Sequence, residues 1–272
     1  MNNELETIWK GESIELLKAL HLLTRDGKLN ADARRKLKQV NHLTQLIDPL
    51  LQKIAAKKGK IRVVDMGAGK SYLGFILYDL VLKHLIDFEL TSIESRPELI
   101  EKSQALAQKS GFTKMKFIPA TIGDATIEGG ADLVCALHAC DTATDDAILF
   151  GIKHHAIGFA LVPCCQAELA QSLAEIQKQK HTDETASFLY EFPLHRREFG
   201  SHLTNVIRTL FLRSKGYRVT VTELVGWEHS MKNELILAEK ISDETHPESI
   251  RASEELANLL RQFPVKMSLL KN

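Results

Sequence analysis

The chain has 272 residues, 44% hydrophobic and 26% charged, the composition of a globular protein with a sizeable core. Its 35 basic residues balance 35 acidic ones, so no net field draws the whole molecule onto nucleic acid or an anionic membrane. No apolar run reaches a membrane-spanning length (Leu73 to Leu82 is cut by Asp79), no charged-then-apolar leader opens the chain, and four cysteines, two of them adjacent, do not resemble a secreted disulfide framework, so a cytoplasmic location off the membrane is expected.

The first sixty residues read as helix. Leu5, Ile8 and Trp9, then Ile14, Leu16, Leu17, Leu20 and Leu23, recur at helical spacing, with Gly11 as a break. Arg25-Asp26-Gly27-Lys28 is a turn. Asn30 then caps a second helix running to about Lys57, which Asp48-Pro49 is expected to kink or divide. Charge is uneven here: residues 1–62 hold thirteen basic against seven acidic side chains, clustered at Arg34-Arg35-Lys36-Lys38 and Lys57-Lys58-Lys60-Arg62. Each cluster fits either a solvated helix face or an RNA-contacting patch. Residues 1–58 are read as a helical N-terminal extension, lining a substrate entrance or covering apolar surface of a domain at 59–272.

From Ile61 the period changes. Strand Ile61–Asp65, helix Ser71–Lys83, strand Glu89–Glu94, helix Pro97–Ser110 and strand Lys116–Pro119 follow one another. After a Gly-rich turn, Gly123 to Gly130, come strand Asp132–Leu137, helix Thr144–Lys153 and strand Ile157–Val162. Such alternation implies an α/β fold with parallel strands and right-handed crossovers, a doubly wound sheet. Glu168–Lys180 and Ser201–Lys215 read as helices separated by a polar segment. Strands Tyr217–Val225 and Glu234–Lys240 are joined by so short a loop that they pair antiparallel, as a C-terminal hairpin. Pro247 starts a last helix to about Phe263.

The organising stretch is Ile61-Arg-Val-Val-Asp65-Met-Gly67-Ala-Gly69-Lys-Ser-Tyr-Leu73, a strand, a tight turn and a helix. At such a turn backbone N–H groups point outward and a ligand approaches closely. A dinucleotide fingerprint needs a third glycine where Tyr72 stands, and a phosphate-binding P-loop needs glycine where Val64 stands. The remaining pattern, D-x-G-x-G, resembles the nucleotide-binding turn of class I S-adenosylmethionine methyltransferases, whose Rossmann-like sheet also ends in an antiparallel hairpin. The resemblance implies that Gly67 and Gly69 leave room for the cofactor and that Asp65 orders the turn and the ligand's amino-acid end. It places Lys70 and Tyr72 beside them. Glu94, ending the second strand, would be the acid that accepts both ribose hydroxyls, with Arg96 pairing with it or flanking the adenine. Asp124, in Gly123-Asp124-Ala125, is either the acid that meets the adenine amino group or part of a plain turn.

The fourth strand ends in Leu137-His138-Ala139-Cys140-Asp141-Thr142-Ala143-Thr144-Asp145, and the fifth in Pro163-Cys164-Cys165. With Lys38-Gln39-Val40-Asn41 and Lys232-Asn233, these segments resemble one methyltransferase subgroup that includes a eukaryotic tRNA 2′-O-methyltransferase, whose zinc-knuckle elements have no counterpart here. His138 and Asp141 are candidates for general base or for orienting the acceptor, and Cys164 for the acceptor pocket wall. Asp145 caps the following helix or holds Asp141. Cys140, Cys164, Cys165 and His138 lack the C-x₂-C spacing of a zinc site, so no metal is expected. His195-Arg196-Arg197, in a polar segment, fits a solvated loop or a phosphate contact, and Trp227 and His229, in the hairpin loop, are candidates to stack on a base, with packing against the N-terminal helices an equal alternative for Trp227. The expected partners are S-adenosylmethionine or its demethylated product S-adenosylhomocysteine, and an RNA acceptor. A non-catalytic scaffold, or a methyltransferase for protein or small molecules, is the alternative.

Overall fold

The computed structural model describes residues 14–20, 23–24, 31–137, 139, 141–163, 166–178, 187–223 and 234–271; for 14–15 and 31–40 it describes backbone alone. Helices α1 (Ile14–Ala19) and α2 (Ala31–Lys58) lead into strand β1 (Lys60–Met66). There follow α3 (Tyr72–Leu80), β2 (Asp87–Glu94), α4 (Pro97–Lys109), β3 (Met115–Pro119), β4 (Leu133–Leu137), α5 (Thr142–Lys153), β5 (Gly158–Val162) and α6 (Glu168–Lys178). The chain ends with α7 (Pro193–Ser214), β6 (Tyr217–Glu223), β7 (Glu234–Lys240) and α8 (Pro247–Gln262). The early residues Leu5, Ile8 and Trp9, the 25–28 turn, Asn30, and Trp227, His229, Lys232 and Asn233 lie outside the described residues.

Seven strands form one sheet in the order β3-β2-β1-β4-β5-β7-β6. The first five are parallel, and β7 runs antiparallel to both β5 and β6. The expected doubly wound sheet with an antiparallel end is what the chain forms. Strand order reverses between β1 and β4, so a crevice opens at the carboxyl ends of β1 and β4.

Strand residues alternate between two cores. Ile61 and Val63 of β1 pack with Leu16, Leu17, Leu43, Ile47, Leu51 and Ile54 of α1 and α2 and with Phe75, Ile76 and Leu77 of α3. Val64 and Met66 face the other way, into a core with Ile148, Leu203, Ile207 and Leu256 of α5, α7 and α8. The N-terminal helices therefore complete one face of the sheet. Full burial of a Leu or Ile side chain contributes about 1.5–3 kcal/mol, which is why this face retains them.

Of the two outcomes expected at Pro49, a kink or a division, the division does not occur, and α2 runs through it for 28 residues. Pro49 and Gln45 are exposed, so water can satisfy the carbonyl that the proline leaves without an amide partner, while Leu43, Ile47, Leu50 and Ile54 hold the helix to the core. Residues 195–197 lie in helix α7, which begins at Pro193; a proline at the first helical position is a helix-start signal that the polar composition obscured.

The cluster Lys57-Lys58-Lys60-Arg62 lies at the amino end of β1. Lys58 pairs with Asp132 at 3.1 Å and Lys60 with Glu89 at 3.7 Å. Lys60 and Met66 are the two ends of a seven-residue strand, about 20 Å apart, so this cluster lies at the end of β1 opposite the crevice.

Candidate functional site

The turn after β1 is built from backbone that only small residues accept. Gly67 and Gly69 adopt φ of +65° and +58°, and Ser71, which precedes α3, adopts +56°. The Ala68 amide donates to the Ile93 carbonyl at 2.9 Å and the Ser71 amide to the Ala68 carbonyl at 2.7 Å, pinning the turn to the end of β2. Among the described residues, a Cβ on Gly67 would meet nothing nearer than Ile122 Cδ1 at 3.6 Å, and one on Gly69 nothing nearer than Arg96 Nη2 at 4.0 Å. The turn is open, with Ile122 and Arg96 at its margins.

Glu94 is 4% exposed at the carboxyl end of β2. Its Oε2 accepts from the Gly69 amide at 2.8 Å, and its Oε1 from the Arg96 amide at 3.1 Å and Nε at 2.8 Å. Burial pushes this carboxyl up, but the Arg96 guanidinium and the two amides outweigh it and leave it below its ordinary value. Of the two positions open to Arg96 in sequence, the structure has it paired with Glu94.

Asp65 points the other way from the open turn. It is 1% exposed, on the face covered by α3, and its Oδ2 has no hydrogen-bond partner among the described residues. Gly74, in the first turn of α3, is the reason it fits: a Cβ there would lie 3.4 Å from Asp65 Oδ2, 3.2 Å from Ser92 Oγ and 3.0 Å from Met115 Cε. Burial, opposed by the Gly74 amide and helped by the charge of Glu94, raises this carboxyl to about 7. Its pairing neighbours Ser92 and Cys135 complete a buried polar row across β2, β1 and β4. The Cys135 thiol is pushed well up by burial and by Asp65.

Lys70 and Tyr72 flank the turn. Both line a cavity of about 370 Å³ between α1, the start of α3 and α4, together with Leu20, Leu99, Lys102 and Ser103. The Tyr72 hydroxyl donates to the Leu20 carbonyl at 2.8 Å, so it fastens the end of α1 to the turn. Asp124 is exposed in the turn beyond β3, where its Oδ2 accepts from Thr121 Oγ1 at 2.6 Å. Its neighbour Ile122, which sequence reading passed over, is the residue facing Gly67.

The carboxyl ends of β4 and β5 lie side by side, with Leu137 opposite Val162. His138, Cys140, Cys164 and Cys165 lie outside the described residues. Asp141 adopts φ 52° and ψ −121°, a conformation that costs a side-chain-bearing residue about 1–3 kcal/mol. Its Oδ1 accepts from the amides of Ala167 at 2.9 Å and Glu168 at 3.1 Å, capping α6. Asp145 does not cap α5. It is buried against Arg208 Nε at 2.7 Å, both side chains 1% exposed, and Arg208 Nη2 donates to the Asp141 carbonyl at 2.8 Å. Asp145 thus holds Asp141 through Arg208. Burial raises the Asp145 carboxyl to about 6 even though Arg208 pulls it down. Arg208 was missed in the sequence, although it stands with Leu203, Thr204, Ile207 and Leu212 on the apolar stripe of α7. Among the described residues no group of three His, Cys, Asp or Glu side chains is placed to hold a metal ion.

The sequence model of the methyltransferase-domain family matches residues 35–172, half of the chain. The chain belongs to that family. It is a methyltransferase, and its methyl donor is S-adenosylmethionine. No curated protein matches the sequence. Among solved structures it is similar to the SAH-bound methyltransferase PaMTH1 of Podospora anserina, at 14% identity over 88% of this chain and 93% of that one, with a TM-score of 0.49. It is also similar to the magnesium protoporphyrin IX methyltransferase ChlM of Synechocystis PCC 6803 with bound SAH, at 12% identity over 83% and 94%, with a TM-score of 0.47. The assignment rests on the family match. The matched residues contain both the open glycine turn and the Glu94 strand end. Among the described residues the turn is open, and the carboxylate beside it is bonded to the Gly69 amide and the Arg96 guanidinium.

Proposed function

We propose that the enzyme methylates RNA, with its cofactor held over Gly67 and Gly69 by Glu94 and its acceptor at the ends of β4 and β5. The observation that carries the cofactor side is the Gly69 amide bonded to Glu94 Oε2 at 2.8 Å, which couples the turn to the acid on the next strand. The cofactor, when bound, supplies an electrophilic methyl group on a positively charged sulfur. Glu94 grips its ribose hydroxyls, a bidentate task for which the Arg96 side chain, 59% exposed, swings aside. Asp65 supports the turn from beneath, Lys70 and Tyr72 brace its flank, and Asp124 meets the adenine next to Ile122. On the acceptor side His138 accepts the proton, Asp141 fixes the loop that carries it, and Cys164 lines the pocket. Such a reaction is accelerated mainly by positioning and by exclusion of water.

RNA is favoured by the subgroup resemblance and by the basic excess of residues 1–62. Because the 57–62 cluster lies at the far pole, the cluster at 34–38 is the charge on which this reading relies. Transfer of labelled methyl to total cellular RNA is expected to exceed transfer to a protein extract; the reverse result rejects RNA. In a calorimetric titration Glu94→Ala is expected to weaken S-adenosylhomocysteine binding at least tenfold, and unchanged affinity rejects the ribose role.

A further inference from the structure

Behind the carboxyl ends of β4 and β5 lies a buried polar network, of which Asp141 alone has a part in the proposed function. Arg208 is fully buried in the second half of α7 and sends its three nitrogens in three directions: Nε to Asp145 on α5, Nη2 to the Asp141 carbonyl, and Nη1 to Asn205 Oδ1 at 3.2 Å. Asn205 also accepts from Gln166 Nε2 at 3.2 Å and donates from Nδ2 to Glu234 Oε2 at 3.0 Å, at the start of β7. Ser201 Oγ donates to Gln166 Oε1 at 2.6 Å. Asp141 closes the circuit through the amides of Ala167 and Glu168. Four segments distant in sequence, the ends of β4 and β5, helix α7 and the start of β7, are tied at one point.

We propose that Arg208 is a positioning residue of this methyltransferase, fixing the β4 and β5 loops against each other so that the acceptor meets the methyl group in line. The inference rests on the reading that the acceptor enters at these strand ends. Two observations carry it. Asp141 is held in backbone geometry that an Asp does not adopt unless its surroundings impose it, and Arg208 is bonded to that residue's carbonyl. A buried ion pair, moreover, rarely improves stability over apolar packing, whereas a satisfied network specifies one geometry. Cofactor contacts lie across β1 and β2, on which Arg208 makes no bond among the described residues, so the two halves of the reaction should separate on mutation.

The experiment uses the full chain with Arg208→Met, Arg208→Lys and Asp141→Gly; glycine relieves the strain at 141 while deleting the cap, so that variant tests the network if Arg208→Met does not fold. Titration with S-adenosylhomocysteine is expected to give affinities within twofold of wild type. Labelled methyl transfer to total RNA is expected to fall at least tenfold in kcat for all three, since one lysine nitrogen cannot span three diverging acceptors. Amide exchange is expected to quicken in peptides covering 141–147 and 166–172 and to stay unchanged in 66–75. Loss of S-adenosylhomocysteine affinity in parallel with activity, full activity in Arg208→Lys, or unchanged exchange at 141–147 each overturns the proposal. Should the wild type not methylate RNA, the RNA reading fails alone, and the exchange and titration arms still decide the role of Arg208.

Discussion

The two ends of the crevice are built by opposite means. On the β1–β2 side the work is done by backbone: two glycines and a serine at positive φ, amides pinned to the next strand, and one acid 25 residues away that takes the Gly69 amide. On the β4–β5 side it is done by side chains that meet across 26 residues from Asp141 to Ala167, 63 from Asp145 to Arg208 and 67 from Asp141 to Arg208. A local turn takes its shape from a few neighbouring dihedrals, whereas a network tied across distant segments takes its shape from the packing that brings them together.

The largest expected effect falls on the second side. Asp145→Leu leaves the Arg208 guanidinium buried without its counter-charge and should destabilise the fold by about 3–5 kcal/mol, seen in urea unfolding. The double variant with Arg208→Met should recover most of that loss; if it does not, the pair matters through packing and not through charge.

On the first side the buried Asp65 gives a pH signature. Its carboxyl is raised from its ordinary value of 3.8 to about 7 in the folded chain, so the fold holds the proton more tightly than the unfolded chain does. Stability from this group is therefore undiminished below about pH 4 and declines as the pH climbs through 7. Asp65→Asn should remove the decline, raising stability at pH 8 by about 2–4 kcal/mol over wild type and flattening the thermal midpoint between pH 5 and 8. A midpoint at pH 8 equal to or below that of wild type would show that Asp65 is not held uncomfortably beneath the turn.

Gly67→Ala tests whether backbone conformation alone sets the turn. Among the described residues the added Cβ meets Ile122 alone, at ordinary contact distance, so the cost is the left-handed strain, about 1–2 kcal/mol, and affinity for S-adenosylhomocysteine should drop about tenfold. The smallest effect belongs to Arg96. Its guanidinium competes for the buried Glu94 carboxylate from a side chain 59% exposed, so solvent screens the pair and holds its worth to about 1 kcal/mol. Arg96→Gln should tighten S-adenosylhomocysteine up to about fivefold by calorimetry; weaker binding would mean that Arg96 contacts the cofactor itself.

Sequence alone settled what period and local chemistry can encode. The alternation from Ile61 onward named the sheet, the hairpin and the strand ends, and D-x-G-x-G with Glu94 marked the turn, because each signal lies within a few residues of the structure it specifies. Tertiary structure decided the rest. Only packing could show that Asp65 turns away from the open space toward Gly74, that Lys58 and Lys60 of the basic cluster pair with Asp132 and Glu89, and that Asp145 finds Arg208 instead of capping its own helix. Such pairings depend on which faces the sheet brings together, and separations of sixty residues leave no periodic trace in the chain.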